Sequence, residues 1–442
     1  MASLSNNTLL RYCHFIALYF AQGIPEGMLA FGIPAWMAIN GKTPGQIASF
    51  AIAVGLPWSF KFIVAPLMDR YTYLPMGRKR PWVIVGQLGL ILSCIYLAYV
   101  PDPLNNLNQM MLAGFLVSFF GAFQDVATDG MAVDIIPLNQ QARANGFMWG
   151  SKTIGMSVSL ALGSWLISKY NYTSAILALA AIIGLIMLMP LFTTERENEK
   201  LAPWTIGKAS NETKTLQLDN WLTIFKSLFQ VFTLRNSLMI AIILFISQGA
   251  FKYISTLLPI FTVKELGWTN VTYSQYYATA KLIGGITGML LGGILIEWFG
   301  KKRMLNIYFI GLIILTSSFV FFKTYWANMY FIYSFMIVYN IIYTITSICL
   351  FAIAMQCCWE KVSASQFTLY MTIANLGQIA LAAFIGPIKA QFDWQITIWA
   401  FAIMIAVVWV LLQFLKINKQ IAKVAELERK DLDSNLFKMA AD

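Results

Sequence analysis

Charged side chains stand inside otherwise apolar runs at Glu26, Lys61, Asp125, Asp129, Lys152, Lys252 and Lys281. A charge among apolar neighbours is costly, so each is a candidate for chemistry rather than for solvation. Asp125 and Asp129 are four residues apart and share one face of a helix, with Gln124 beside them. If Lys61 or Lys152 neutralises one carboxylate, the other is free to take up and release a proton; the alternative is a buried ion-pair network that only locks helices together. Lys252 and Lys281 are anion-binding candidates, because an ammonium acts as a point charge toward carboxylate or phosphate. Lys281, about nine residues inside its helix, could instead snorkel to lipid headgroups. Glu26 and Gln22 flank Pro25 in a stretch with Pro34, Gly23, Gly27 and Gly32, where a broken or bent backbone would expose carbonyls beside the acid; the alternative is a plain kink for packing. The five cysteines have no metal-ligand spacing, and His14 is the single histidine, so no metal, cofactor or nucleophile–base pair is expected and the chain does not read as an enzyme. Nor is there a G-x-x-x-x-G-K loop for an ATP-driven pump.

The elements that must hold these residues follow from composition. Of 442 residues 58% are hydrophobic and 12% charged, too apolar for a soluble chain. Unbroken stretches such as residues 176–191 exclude the alternating strands of a β-barrel. The net charge of +11 has no aromatic-basic module to serve nucleic acid, and none is expected as a partner. With about 20 apolar residues per span, the chain reads as an all-α membrane protein of twelve transmembrane helices, at roughly 10–39, 46–67, 81–100, 107–136, 142–169 and 172–193, then 236–263, 272–298, 303–323, 326–358, 363–389 and 393–416. This gives an N-terminal six-helix bundle over 1–193, a cytoplasmic linker over 194–235 with a surface helix from Trp221 to Phe232, a C-terminal bundle over 236–417 and a polar tail over 418–442. The first apolar stretch runs from Leu9 past signal-peptide length and is expected to be a span rather than a cleaved leader.

With both termini inside, roughly 22 of the Lys and Arg residues fall on cytoplasmic segments and about 5 on outer loops, the asymmetry that retention of positive charge requires. Counting inward at 1.5 Å per residue puts Lys61, Asp125 and Lys152 roughly 12–14 Å deep, near one another. The halves also repeat. Asp69 precedes Gly77-Arg78-Lys79-Arg80, and 228 residues on Glu297 precedes Gly300-Lys301-Lys302-Arg303; Asp134 and Glu360 correspond to within two residues. Asp69, Arg70, Arg78, Asp134, Glu297, Arg303 and Glu360, at cytoplasmic helix ends, read as gate and hinge residues. Two six-helix halves with matching charged hinges suit a transporter that rocks around a central site. Gly146 and Gly155 in helix five, with Gly284, Gly288 and Gly293 in helix eight, form small-residue faces for close packing. His14 reads as interfacial, and Trp82, Trp268, Trp326 and Trp394 as interface anchors.

The run Gly293-x-x-x-Glu297-x-x-Gly300-Lys301-Lys302-Arg303 resembles the signature loop of the major facilitator superfamily, and Asp69-Arg70 through Arg80 resembles its stretched first-half copy. Gln22-Gly23-Ile24-Pro25, Phe60-Lys61-Phe62, Pro66-Leu67-Met68-Asp69-Arg70-Tyr71 and Gln124-Asp125-x-x-x-Asp129-Gly130 resemble the branch of AmpG-type muropeptide permeases and acetyl-CoA transporters. The resemblance implies an alternating-access importer or exchanger of a bulky anionic metabolite, proton-coupled as the muropeptide permeases are thought to be, working as a monomer in a bacterial inner membrane. A muropeptide-like substrate leads; a CoA thioester, a ferric siderophore or a non-transporting receptor on the same fold stays open.

Overall fold

The structure is a computed structural model that describes residues 3–216, 220–268 and 270–441. Backbone in hydrocarbon must satisfy its hydrogen bonds within its own segment, so each apolar run folds as a helix. Helix α1 covers Thr8–Met37, α2 Pro44–Arg70, α3 Arg80–Ala98, α4 Leu107–Ile135, α5 Gln141–Lys169 and α6 Tyr172–Phe192. The linker helix α7, Trp221–Phe232, is followed by α8 Arg235–Lys264, α9 Gln275–Phe299, α10 Lys301–Phe321, α11 Met329–Gln356, α12 Glu360–Gln391 and α13 Trp394–Phe414. Eleven of the twelve long apolar helices are hydrophobic enough to cross a membrane. The twelfth, α5, is diluted by Asn145, Ser151, Lys152 and Thr153, yet its 29 residues reach about 43 Å at 1.5 Å per residue. The chain is therefore an all-α integral membrane protein. Among the described residues the single extended pairing is an isolated bridge between Ser3 and Thr194.

Several local expectations are corrected. Pro25 does not break α1; the helix runs through it, widens into one π-turn at Met28–Gly32 and resumes at Ile33–Ile39. A wide turn absorbs the backbone mismatch without exposing a gap. The polar tail is itself helical over Ile417–Ala441, α14, where Glu426 pairs with Lys423 and Lys430 at 2.7 and 2.8 Å and helical spacing. Trp326 is no interface anchor: it is buried against Phe261 and Phe319, with ring centroids 4.8 and 5.6 Å away, and its Nε1 donates to the Phe319 carbonyl at 2.9 Å. His14 is fully buried, its Nδ1 3.2 Å from Thr193 Oγ1, because the linker folds back over the inner end of α1.

The chain forms two compact units. The first comprises Met1–Pro137, Phe147–Ser227 and Glu360–Thr368, the second Leu138–Gly146, Leu228–Trp359 and Leu369–Asp442. In the first, Ile24, Met28, Phe50, Leu90, Met110 and Ile183 meet in a core drawn from α1, α2, α3, α4 and α6. Where α1 crosses α5, a Cβ on Gly23 would overlap the Lys152 carbonyl oxygen, and one on Gly155 would overlap the Phe20 carbonyl oxygen. The second unit repeats this crossing between α8 and α12, where a Cβ on Gly249 would lie 2.6 Å from the Gly377 oxygen. Glycine is required at both crossings because the backbones touch.

The linker up to Ser227 is part of the first unit. No side chain of its own caps α3 and no acid stands in its first turn. Glu195 fills that role from the linker, its carboxylate accepting from the backbone N–H groups of Arg78 at 2.8 Å, Lys79 at 2.7 Å and Arg80. A carboxylate on a helix N-terminus meets both unpaired donors and the positive end of the dipole. Gly77, at φ 101°, makes the turn, and a Cβ there would strike the Glu195 carboxyl carbon at 2.6 Å. Arg80 holds the same segment through the carbonyls of Pro190 at 2.6 Å, Lys200 at 2.9 Å and Leu201 at 2.6 Å. On α7, Leu222, Phe225 and Phe229 expose one apolar face while Ile224 and Val231 are buried, a pattern suited to lying on a bilayer surface.

Burial and the neighbouring Glu195 raise the Glu199 carboxyl from 4.5 to about 7. An acid with a raised folded pKa is penalised once the unfolded segment has lost its proton, so linker docking weakens as pH rises from about 4.5 to about 7 and levels off above. Limited proteolysis of the linker should accelerate across that window, and Glu199→Gln should flatten the rise.

Candidate functional site

The buried charges of the first unit converge on α1, α2, α4 and α5. Lys61 on α2 pairs with Asp125 on α4 at 2.6 Å, both side chains almost wholly inaccessible. Gln22 on α1 donates its amide to the other oxygen of Asp125. Lys152 on α5 pairs with Glu26 on α1 at 2.8 Å. Both ammonium groups lie against the Trp58 ring, Lys61 Nζ at 5.6 Å and Lys152 Nζ at 5.0 Å from its centroid. A ring face beside two cations offsets part of their lost hydration. Tyr19 on α1 donates its hydroxyl to Asp129 Oδ1, whereas Asp129 Oδ2 is buried with no hydrogen-bond partner. Gln124 turns toward α1 and donates to the Leu18 carbonyl at 3.2 Å, and its Oε1, like Gln22 Oε1 and Thr128 Oγ1, is buried without a hydrogen-bond partner.

The local sequence explains the convergence. Tyr19, Gln22 and Glu26 recur at three- and four-residue spacing, one face of α1, and Trp58 precedes Lys61 by one turn. The close crossing at Gly23 and Gly155 lets the α5 backbone approach near enough for Lys152 to reach Glu26. Tyr19 and Trp58 escaped the sequence reading, although Trp58 stands one helical turn from Lys61 and Tyr19 one turn from Gln22 and two from Glu26.

At the inner end, Arg78 is completely buried and donates to Asp134 at 3.1 Å, Asp69 at 3.5 Å, the Glu360 carbonyl at 2.5 Å and the Lys361 carbonyl. Asp69 also accepts from Lys79 Nζ and, at 2.8 Å, from the Ser365 N–H. Residues 360–368, late in the chain, are thereby fastened into the first unit. Glu360 contributes its backbone oxygen here. Arg70 stays outside this cluster and lies over the rings of Tyr71 and Trp221 at 5.2 and 5.1 Å, tying α2 to the linker helix.

The second unit has its own constellation. Glu297 pairs with Arg143, and Lys301 donates to Gln356 Oε1. Arg303 is exposed. Lys252 is exposed on α8, and Lys281 is half-buried on α9. Tyr273, Tyr277 and Lys281 are four residues apart on one face, with the two tyrosine rings stacked at 5.3 Å. Tyr339 and Tyr343 stack at 6.0 Å on α11, and Tyr276 meets Tyr333 at 4.7 Å. This aromatic array, audible in sequence as tyrosines at four-residue spacing, went unread beside the lysines.

Twelve long apolar helices among the described residues, several of them carrying buried ion pairs, have the architecture of a membrane transport protein. Residues 15–382 match the family model of the Major Facilitator Superfamily, and the chain belongs to that family. The anhydromuropeptide permease of Escherichia coli (strain K12) is 23% identical over 384 residues, which cover 85% of this chain and 73% of that protein. Among solved structures, the Major Facilitator Superfamily transporter FucP in the outward conformation is similar at a TM-score of 0.71 and 13% identity, covering 92% of this chain and 98% of that one. The human organic anion transporter MFSD10 follows the same fold at a TM-score of 0.65 and 10% identity, over 91% and 98% of the two chains.

Two stability measurements probe the network. Lys61→Met should lower stability by about 3–5 kcal/mol by stranding the Asp125 charge, and adding Asp125→Asn should restore much of it, read as thermal unfolding in detergent. Gly23→Ala should cost about 1–3 kcal/mol by prising α1 from α5, while Gly184→Ala, whose Cβ would meet only Ile91 at 3.9 Å, should cost far less.

Proposed function

We propose that the chain is a secondary active transporter that imports a bulky anionic metabolite of the anhydromuropeptide class together with a proton. The single observation that carries this reading is the charge count of the first unit. Lys61 and Lys152 are matched by Asp125 and Glu26, which leaves Asp129 as the carboxyl without a counter-ion and with one oxygen unpartnered. An unmatched carboxylate at membrane depth is expensive, so Asp129 is the group that takes the proton, and Tyr19 holds its other oxygen in place. Losing that proton sets Asp129 in competition with Asp125 for Lys61, which couples protonation to the packing of α1, α2 and α4.

The relative named as an anhydromuropeptide permease supports the substrate class. Such a solute carries saccharide rings and carboxylates, and the tyrosine-lined face next to Lys281, with Lys252 on the neighbouring helix, offers stacking and point charges for both. Glu26 and Gln22 serve as switchable partners on the first unit, and the Arg78–Asp69–Asp134 cluster as the cytoplasmic latch that must open in each cycle. The protein works as a monomer in a bacterial inner membrane with both termini cytoplasmic, and carries out no chemistry on its solute.

The test is uptake into proteoliposomes under an imposed pH gradient, with labelled anhydromuropeptide, acetyl-CoA and ferric siderophore offered in parallel. Anhydromuropeptide should accumulate, a protonophore should collapse the accumulation, and Asp129→Asn should abolish the pH-driven component while sparing solute exchange. Accumulation of another solute would overturn the substrate class, and unchanged pH dependence in Asp129→Asn would overturn the coupling role.

A further inference from the structure

The second unit contains a cavity of about 650 Å³ where α9 ends and α10, α13 and α14 meet. Four lysines line it, Lys301, Lys302, Lys416 and Lys419. The acid on its wall, Glu297, is already engaged by Arg143, so the cavity is strongly cationic. Lys302 is anchored to the carbonyls of Gln413 and Leu415 at 2.9 and 3.0 Å, and Lys301 to Gln356, which holds two of the four charges in place.

The repeat shows what such a place holds. In the first unit the start of α3, after Gly77, receives the Glu195 carboxylate on three backbone N–H groups. The start of α10 comes after the equivalent Gly300, at φ 83°, yet no side chain caps it and no acid stands in its first turn. In place of an internal carboxylate, the second unit has the lysine-lined cavity. Its other walls mix the polar Asn139, Gln356 and Asn418 with the apolar Ile296 and Leu415, and Trp298, Phe299 and Phe414 are exposed nearby in sequence, at the ends of α9 and α13. Exposed aromatics at the end of a span mark the depth of the lipid headgroups.

We propose that this cavity binds the phosphate group of an acidic phospholipid, with the lysines and the start of α10 receiving the anion and the exposed aromatic rim receiving the acyl chains. A soluble phosphate ester carries the same recognised group, and the two sources separate by experiment. The full-length protein in neutral detergent is titrated with phosphatidylglycerol, phosphatidylcholine, glycerol phosphate and inorganic phosphate, with binding followed by native mass spectrometry and thermal unfolding. The comparison is between wild type, Lys416→Gln/Lys419→Gln, and a tail control, Lys423→Gln/Lys430→Gln, that leaves the cavity intact.

Phosphatidylglycerol should bind and stabilise wild type well above phosphatidylcholine, and the Lys416/Lys419 variant should lose about 10- to 30-fold in affinity while the control keeps it. The same loss seen with glycerol phosphate or inorganic phosphate, without any gain from acyl chains, would keep the phosphate site and overturn its lipid occupant. Equal binding of phosphatidylglycerol by wild type and both variants, or equal losses in both, would overturn the site. Because Lys416 and Lys419 are exposed, the variant is expected to fold, and its unfolding temperature without added anion verifies this.

Discussion

A charge carried into hydrocarbon must find its counter-charge within hydrogen-bond reach, and most of the first unit follows from that requirement. Lys61 and Lys152 enter from different helices, and each takes a carboxylate from a third or fourth. Helix α1 supplies a partner to both pairs, through Gln22 and Glu26, and so must run close against α4 and α5 at once. The glycine crossing at Gly23 and Gly155 is the backbone counterpart of this demand, since any side chain there would push Lys152 out of reach of Glu26. Packing and electrostatics therefore specify the same helix arrangement.

Asp129, a carboxyl inside a membrane-spanning helix with no ion pair, stands out against this background. Asp129 sits a turn below Asp125 on a helix whose neighbours are otherwise matched, with a tyrosine on one oxygen and nothing on the other. Rigidity alone does not account for an acid stranded there, and the proposed coupling role rests on that feature.

The two halves share a repeat but have diverged where their inner ends are finished. The first half closes its glycine-turn helix start with a glutamate from the linker, which makes the linker a structural component rather than a tether. Arg80, rooted in carbonyls on both sides of that segment, reinforces it. The second half meets the same helix start with lysines and open space. Duplicated architecture thus ends in one self-sufficient terminus and one that is receptive to an outside anion.

Local chemistry made much of this legible in the chain alone. About 20 apolar residues are needed to span hydrocarbon, and so the helices, their number and the charges they carry could be read directly from Leu9 to Leu415. Periodicity placed Asp125 and Asp129 on one face and flagged Lys61 and Lys152 as their candidate neighbours. Tertiary structure decided what no spacing encodes. Lys152 went to Glu26 and Lys61 to Asp125, because the helix crossing angle and the glycine contacts set which acid each amine could reach. Arg70 lies over the Trp221 ring instead of joining the Arg78 cluster, His14 is buried beneath the linker, and Glu195 is the cap of a helix more than a hundred residues away. Those outcomes depend on long-range approach of backbone segments, a property of the folded chain as a whole, whereas spans and faces depend only on neighbours a turn or two away.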